Sequence, residues 1–218
     1  MRKITAVLAV SFMVVTIPVQ AQQAEEILKG LKAKWDQVQD YHCMMRSRNR
    51  LGDKKDEKKT EFWFKRPHQV RMLVTEGEKK GSTLTRDANG KIKGKTGGLL
   101  GVVSVTLGED DERITNLRGR KFYLADWGSV LKEFFEGSKK DWKYQVLPDE
   151  NFNNVACTVL EMTGKDTHSA VTRDVIYVDK ENNLILCRKQ FEGNTLVNEV
   201  VWWDIQLNTG LGDDLFTL

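Results

Sequence analysis

The chain has 218 residues, 40% of them hydrophobic, with 34 Lys and Arg against 31 Asp and Glu. This length suits one domain with a sizeable core, and the near balance of charge excludes a basic field that would steer the protein to nucleic acid. The three cysteines, Cys43, Cys157 and Cys187, cannot all pair within one chain, so at least one is free or intermolecular.

The amino end has the pattern of a secretory signal. Arg2 and Lys3 precede an apolar run, and small residues follow that run at the two positions a signal peptidase reads. We therefore predict a signal peptide over residues 1–21 and a single mature domain over residues 22–218 that is soluble outside the cytoplasm. Pro18 interrupts the apolar run, which disfavours a retained membrane anchor.

The first element expected in the mature domain is an amphipathic helix over residues 23–39. Its apolar positions recur at helical spacing with charged residues between them. They are Ile27, Leu31, Trp35 and Val38.

The pattern then changes to that of strands, with β-branched and aromatic residues between turn signals. The predicted strands cover residues 41–51, 58–66, 68–76, 80–86, 142–148, 154–163, 172–179, 183–192 and 195–206. A second helix is expected at residues 126–136, within "ADWGSVLKEFFEG", with Asp126 or Ser129 near its start and Gly137 as its stop.

An antiparallel sheet of nine or ten strands is too wide to stay flat. We predict a mainly β, α+β fold, in which the sheet curls into an incomplete barrel and the N-terminal and central helices cover its concave face. If the sheet is a simple meander, Cys157 and Cys187 lie two strand spacings apart, beyond the reach of a disulfide.

Motifs of enzyme chemistry are missing from the sequence. "GKIKGKTGG" departs from the spacing of a phosphate-binding loop and favours a mobile surface loop that continues to Gly101, and "DKKDEKK" at residues 53–59 favours a solvated hairpin tip. His42, His68 and His168 stand in separate segments without metal-ligand spacing. We expect no metal, no cofactor and no catalytic residue.

The stretch "EFWFKRPHQVRM" places Phe62, Phe64 and Arg66 on one face of a strand. An unpaired guanidinium on an apolar concave face would cost several kcal/mol of desolvation, so Arg66 must find oxygen partners. Backbone carbonyls of a covering helix or loop would make Arg66 a latch on a lid. Water or a carboxylate at the rim of the sheet is the alternative.

Two stretches carry a resemblance to a known family. "LKAKWDQVQDYHCMMRSRNR" and "EFWFKRPHQVR" resemble the opening of the LolA-type periplasmic lipoprotein carriers, where a strand ends in an aromatic-rich Lys-Arg-Pro. The closing stretch, from "VIYVDKENN" to "LNTGLGDDLF", is similar to the end of the same superfamily, and its tail is closer to a branch of uncharacterised secreted relatives. The middle, from about residue 77 to residue 125, departs from the family pattern.

The resemblance implies a half-barrel that carries lipoprotein acyl chains between membranes. It implies that Arg66, in the Lys-Arg-Pro, holds the lid shut through hydrogen bonds. The residues expected to line the hydrophobic cavity are Phe62, Phe64, Val70, Met72, Val74, Trp127 and Leu131.

We therefore expect a periplasmic carrier or binder of lipoprotein acyl chains or lipids that is not an enzyme. It would contact a membrane transiently and meet a membrane-bound donor or acceptor protein. Two alternatives stay open. One is an envelope sensor or protein-interaction module that uses the same cup, with an exposed "VVWWD" at residues 200–204 as its interface. The other is a cup that side chains fill completely.

Overall fold

The computed structural model describes residues 17–98, 103–136, 139, 141–167 and 169–218. Most of the predicted signal peptide lies outside these residues, as do Gly101, Gly137 and His168, so the predictions made for them stay predictions. No helix within the described ranges combines the length and the apolar character needed to cross a membrane.

The N-terminal helix α1 is Ile17–Asp36, so it ends before the predicted residue 39. The backbone N–H groups of Gln37 and Val38 donate to the carbonyls of Lys34 and Trp35, at 3.1 and 3.0 Å, and close the helix in a tight turn. Val38 is buried although it has left the helix, and its apolar character extended the prediction too far.

Eleven antiparallel strands within the described residues form one sheet. They are β1 (Asp40–Leu51), β2 (Lys54–Lys65), β3 (Gln69–Gly77), β4 (Thr83–Arg86), β5 (Ile92–Lys95), β6 (Ser104–Leu107), β7 (Lys143–Phe152), β8 (Val155–Thr163), β9 (Arg173–Asp179), β10 (Ile185–Glu192) and β11 (Thr195–Leu207).

The order across the sheet is β6-β5-β4-β3-β2-β1-β11-β10-β9-β8-β7. Two meanders, β1 to β6 and β7 to β11, therefore meet where β1 pairs with β11. Among the described residues no pairing joins β6 to β7, so the sheet is an open half-barrel. The predicted fold class is confirmed.

Strands β5 and β6 were missed by the prediction, which placed a glycine-rich loop over β5 and no element over β6. Gly94 lies within β5, and a Cβ atom at this position would come within 2.8 Å of Cδ1 of Leu107 in β6. The side chain of Leu107 lies over Gly94 and occupies the space that a Cβ atom would need. The loop prediction is therefore wrong for residues 92–95.

The charged run at residues 53–59 is mostly strand. β2 begins at Lys54, and the turn after β1 consists of Gly52 and Asp53. Pairs of opposite charge across the strands, such as Arg48 with Glu57 at 3.0 Å, keep the extended hairpin balanced. The prediction that the whole run is a hairpin tip is wrong.

Helix α2, Trp127–Phe135, lies in the connection between β6 and β7. Asp126 caps it, because its Oδ1 accepts a hydrogen bond from the backbone N–H of Ser129 at 2.9 Å. Its apolar face packs against the sheet through Val130, Leu131 and Phe134. This helix was predicted within one residue at each end.

The cysteines lie in the buried core as free thiols. Cys157 is on β8 and Cys187 is on β10, with β9 between them. The prediction that these two residues do not form a bridge agrees with this order.

Candidate binding cavity

Three rows of side chains cross β1, β2 and β3 on the concave face of the sheet. In register they are Tyr41–Phe64–Val70, Cys43–Phe62–Met72 and Met45–Thr60–Val74. Because side chains alternate between faces along a strand, all three rows point to the same side. The same side is covered by the helices.

Aromatic rings fill the space above the first row. Tyr41 stacks on Phe64, with ring centroids 5.4 Å apart, and on Trp127 of α2 at 4.4 Å. Trp35 of α1 covers Phe64 at 5.0 Å. Phe62, Phe64 and Val70 are buried in this packing and border neither of the two spaces described next.

A cavity of about 120 Å³ lies beyond this packed end, between the sheet and residues 114–125. Met72 and Val74, two of the residues expected to line a cavity, border it. The other apolar residues of its wall are Met45, Leu84, Ile114, Phe122, Ala125, Val130, Val200 and Trp202.

Trp127 and Leu131 border a different and much smaller space. This gap of about 10 Å³ lies between α1, α2 and residues 183–185, and Leu31 and Trp35 also line it. The seven residues predicted to line the cavity are thus divided between the packed end, the cavity and this gap. Their contact with a ligand stays a prediction.

The roof of the cavity is a segment that we call the cover segment, residues 112–125. It contains two short 3-10 helices, Glu112–Ile114 and Phe122–Leu124, and a bridge between Thr115 and Lys121. Ile114 is completely buried and lines the space below.

Amide hydrogen bonds fasten the cover segment to the sheet. Oδ1 of the buried Asn49 accepts from Nδ2 of Asn116 in the cover segment at 2.9 Å and from Nδ2 of Asn198 in β11 at 2.8 Å. Arg118 adds a hydrogen bond from its guanidinium to the carbonyl of Arg50 at 2.7 Å. The roof is therefore held both by these polar contacts and by the buried side chains of Ile114, Phe122 and Tyr123.

A buried ionic network anchors α2 and the cover segment beside the cavity. Asp174 of β9 accepts from Nζ of Lys139 at 2.5 Å and from Arg188 of β10 at 2.7 Å. Arg188 also donates to Glu133 of α2 at 2.5 Å, and Glu133 pairs with Arg120 of the cover segment.

The network shifts the pKa of its members. Burial alone would raise the pKa of Asp174 and of Glu133, but Arg188 and the other cations outweigh it and hold both pKa values below the ordinary range. Burial and the charge of Arg188 lower the pKa of Lys139. Three cations share two carboxylates here, so the network keeps an excess of positive charge.

Arg66 lies at the packed end, against the last turn of α1. Its Nε donates to the carbonyl of Val38 at 2.6 Å and a terminal nitrogen donates to the carbonyl of Trp35 at 2.7 Å. The carbonyl of Trp35 also accepts from the backbone N–H of Val38, so Arg66 adds a second donor there and supplies a donor to the carbonyl of Val38. The role of Arg66 as a latch on a moving lid stays a prediction.

Sequence reasoning missed the cover segment and the polar end of the cavity. Residues 112–125 show neither strand nor helix periodicity, so no local signal places them over the sheet. Asn49, Gln190 and Asn198 line the cavity, yet they stand among other polar residues on their strands. Only the register of the sheet shows which of them point inward.

The residues around the cavity supply an apolar wall and a polar end, the composition of a pocket for a small molecule. Over the described residues, no group of three or more His, Cys, Asp or Glu side chains is placed to hold a metal ion. The open half-barrel thus holds a covered internal cavity between its sheet and the cover segment.

Solved structures share this architecture along most of the chain. The lipoprotein LppX of Mycobacterium tuberculosis is 9% identical with a TM-score of 0.53, over 87% of this chain and 99% of LppX. MucB is 12% identical with a TM-score of 0.53, over 90% of this chain but only 63% of MucB. No family model and no curated protein matches the chain.

A LolA superfamily protein from Nitrosomonas europaea aligns over 89% of this chain and 97% of its own, with 16% identity and a TM-score of 0.40. LppX and MucB, whose TM-scores exceed 0.5, share the fold of this chain.

Proposed function

We propose that this protein is a periplasmic carrier or binder of lipids or of the acyl chains of lipoproteins. The observation that supports this most is the largely apolar cavity between the sheet and the cover segment. Apolar surface is what an acyl chain needs, since burial is worth about 0.8 kcal/mol for each CH₂ group.

In the carrier that we propose, a cavity of this size corresponds to a closed state, with the cover segment lying on the sheet. A cavity of about 120 Å³ compares with the roughly 150 Å³ that holds one benzene molecule in an engineered core, so it accepts only part of an acyl chain. A longer chain requires the cover segment to move away from the sheet. Such a movement would break the hydrogen bonds of Asn49 and Arg118 and would draw Ile114 and Phe122 out of the core.

The carrier role includes expectations about the surroundings of the protein. The predicted signal peptide would bring the chain to the periplasm, where it would take its cargo from one membrane-bound protein and deliver it to another. Contact with the membrane would be transient. In this proposal Arg66 keeps α1 in place over the packed end while the other end of the cup opens.

The test is to find what the protein retains. The full chain, expressed for export and purified without detergent, is extracted with organic solvent and analysed by mass spectrometry, with the same protein unfolded, washed and refolded as the blank. We expect molecules with acyl chains in the native sample only. If the native sample retains none, and no lipid displaces an apolar fluorescent probe, the proposal is wrong.

A protein-interaction role is the second candidate. MucB, which has a similar fold, has also been solved in complex with MucA. The interface expected at residues 200–204 is disfavoured, because Val201 and Trp202 are buried. A stable protein partner that co-purifies without lipid would support this candidate over the carrier.

A further inference from the structure

We infer that the ligand of this cavity is an amphiphile with an anionic head group, a phosphate or a carboxylate, on its acyl chain. This inference rests on the proposed function and names the class of ligand. Every charged residue among the described residues that line the cavity is a cation. They are Lys58, Lys79, Arg120, Lys121 and Arg188.

The register of the sheet separates the cations from the apolar wall. Ser47 of β1 lies opposite Lys58 of β2 and opposite Val200 of β11, and Val200 lies opposite Arg188 of β10. This row crosses the floor of the cavity with a cation at each end. The next inward row on β1, two residues away, begins the apolar half at Met45, so the cavity has a polar end and an oily end.

The carboxylates that partner these cations lie outside the lining. Glu133 and Asp174 contact Arg188 from the buried network, and Glu109 pairs with Lys121 at 2.7 Å. Lys58 is 3.5 Å from Asp56, a loose pair. All three guanidinium nitrogens of Arg120 are bonded, to Glu133 and to the carbonyl of Leu124, so among the described residues Lys58 and Lys79 are the cations of the wall with a loose ion-pair partner or none.

The balance of these charges is positive. Lys79 has no ion-pair partner among the described residues, and Lys139 adds a further cation to the network behind Arg188. Over the described residues, six cations thus stand against four carboxylates in the wall of the cavity and directly behind it. Such an excess beside an apolar wall favours an anion.

A neutral lipid would leave this end unpaired, and a free anion would leave the apolar end unfilled. An ammonium group on a flexible stem adapts to either phosphate or carboxylate oxygens, and charge-assisted hydrogen bonds are stronger than neutral ones. One molecule satisfies both ends if its acyl chain lies against Met45, Met72 and Val74 and its head group lies at the lysines.

The experiment measures displacement of N-phenyl-1-naphthylamine from the full mature protein at low ionic strength. Three competitors are compared: lysophosphatidylglycerol, a monoacylglycerol with the same acyl chain, and inorganic phosphate. We expect the anionic lipid to compete about tenfold better than the neutral one, with the preference shrinking as salt is added. Inorganic phosphate should not displace the probe.

The triple variant Lys58→Gln, Lys79→Gln, Lys121→Gln tests the lysines directly. We expect it to lose most of the preference for the anionic lipid while its affinity for the monoacylglycerol stays within about twofold. The control carries the same loss of charge away from the cavity, as Lys91→Gln, Lys143→Gln, Lys165→Gln, and should keep the preference. Unchanged binding of the neutral lipid shows that the triple variant is folded.

The outcomes separate this inference from the proposed function. Equal competition by the two lipids would overturn the anionic head group and leave the lipid carrier standing. A triple variant that keeps its preference, or a control that loses it, would also overturn the inference. Displacement by phosphate alone would indicate a free anion as ligand. If neither lipid competes, the carrier proposal itself fails.

Discussion

The guanidinium of Arg66 lies 4.8 Å from the centroid of the Trp35 ring and donates a hydrogen bond to the carbonyl oxygen of the same residue. Arg66, which directly follows β2, thereby contacts both the side chain and the backbone of Trp35 in the last turn of α1. The contact combines a cation–π interaction with charge-assisted hydrogen bonds. Its loss should therefore weaken the packing of the whole helix α1 on the sheet.

Replacement Arg66→Leu should free the C-terminal end of α1. We expect a loss of about 2 kcal/mol in the free energy of unfolding, because the carbonyl of Val38 loses its donor, the carbonyl of Trp35 loses one of its two donors, and the cation–π contact with Trp35 is lost. The rate at which a bound acyl ligand is released should also change. Urea unfolding and stopped-flow release of a fluorescent fatty acid measure the two effects, with Arg50→Leu as a control; equal stability and equal kinetics in Arg66→Leu and the parent would contradict the latch.

Replacement Val74→Phe should fill the cavity. Val74 borders the space, so a larger ring there occupies volume that an acyl chain would use, and affinity for a lipid should fall about tenfold with little change in stability. Val105→Phe, on an exposed position of β6, adds the same ring outside the cavity and should leave affinity unchanged. Probe displacement measures both variants. Equal affinities would show that the ligand does not enter this space.

Replacement Asn49→Ala should loosen the cover segment. The amides of Asn116 and Asn198 would lose their shared acceptor, and a buried donor without a partner costs about 1–3 kcal/mol. We expect faster hydrogen exchange at residues 115–121 than in the parent. Asn151→Ala, on an exposed position of β7, is the control. Unchanged exchange in Asn49→Ala would mean that other contacts hold the roof.

Replacement Asp174→Asn should strongly destabilise the fold. Lys139 and Arg188 would lose their common carboxylate while they remain buried, and breaking a buried ion pair on one side costs about 3–5 kcal/mol. Asp149→Asn breaks only an exposed pair with Lys180, so it should cost less than about 1 kcal/mol. Urea unfolding compares the two variants, and similar losses would contradict the central role of the network.

Acid should remove the contribution of Asp174 to stability. Its pKa is lowered in the folded state, so its contribution is complete above the ordinary carboxyl value of about 4 and is lost as the pH falls through the lower folded value. The difference in unfolding free energy between the parent and Asp174→Asn should therefore be constant from pH 7 to about pH 5 and shrink below about pH 4. A difference that does not depend on pH would contradict this.

The parts of the fold that sequence predicts best are those with a strong local period. Helix α2 follows from its apolar spacing and from Asp126, and the long strands follow from alternation, because these patterns are direct consequences of helix and strand geometry. Strands β5 and β6 escape such reasoning. Each spans only four residues. The glycine at position 94 is explained by its contact with Leu107 on the neighbouring strand, which the residues next to it in the chain do not reveal.

The candidate site shows the same limit. Arg66 could be assigned to the concave face from the strand period, and its need for oxygen partners followed from desolvation. The position of the cavity did not follow, because the rings of Phe62 and Phe64 fill one end of the cup only when Trp35 and Trp127 arrive from two helices. The five cations of the cavity wall come from four separate segments, and no local pattern links them.

The pairing of β1 with β11 has a consequence for how the protein folds during its synthesis. Tyr41 stands opposite Leu207, so the middle of the sheet is made from the two extremes of the domain. Until β11 has been synthesised, β1 has no partner on one side and is an unpaired strand edge. Such an edge can pair with the strands of other chains. Newly synthesised chains of this protein should therefore depend on chaperones for longer than the chains of a domain in which the paired strands are consecutive in the sequence.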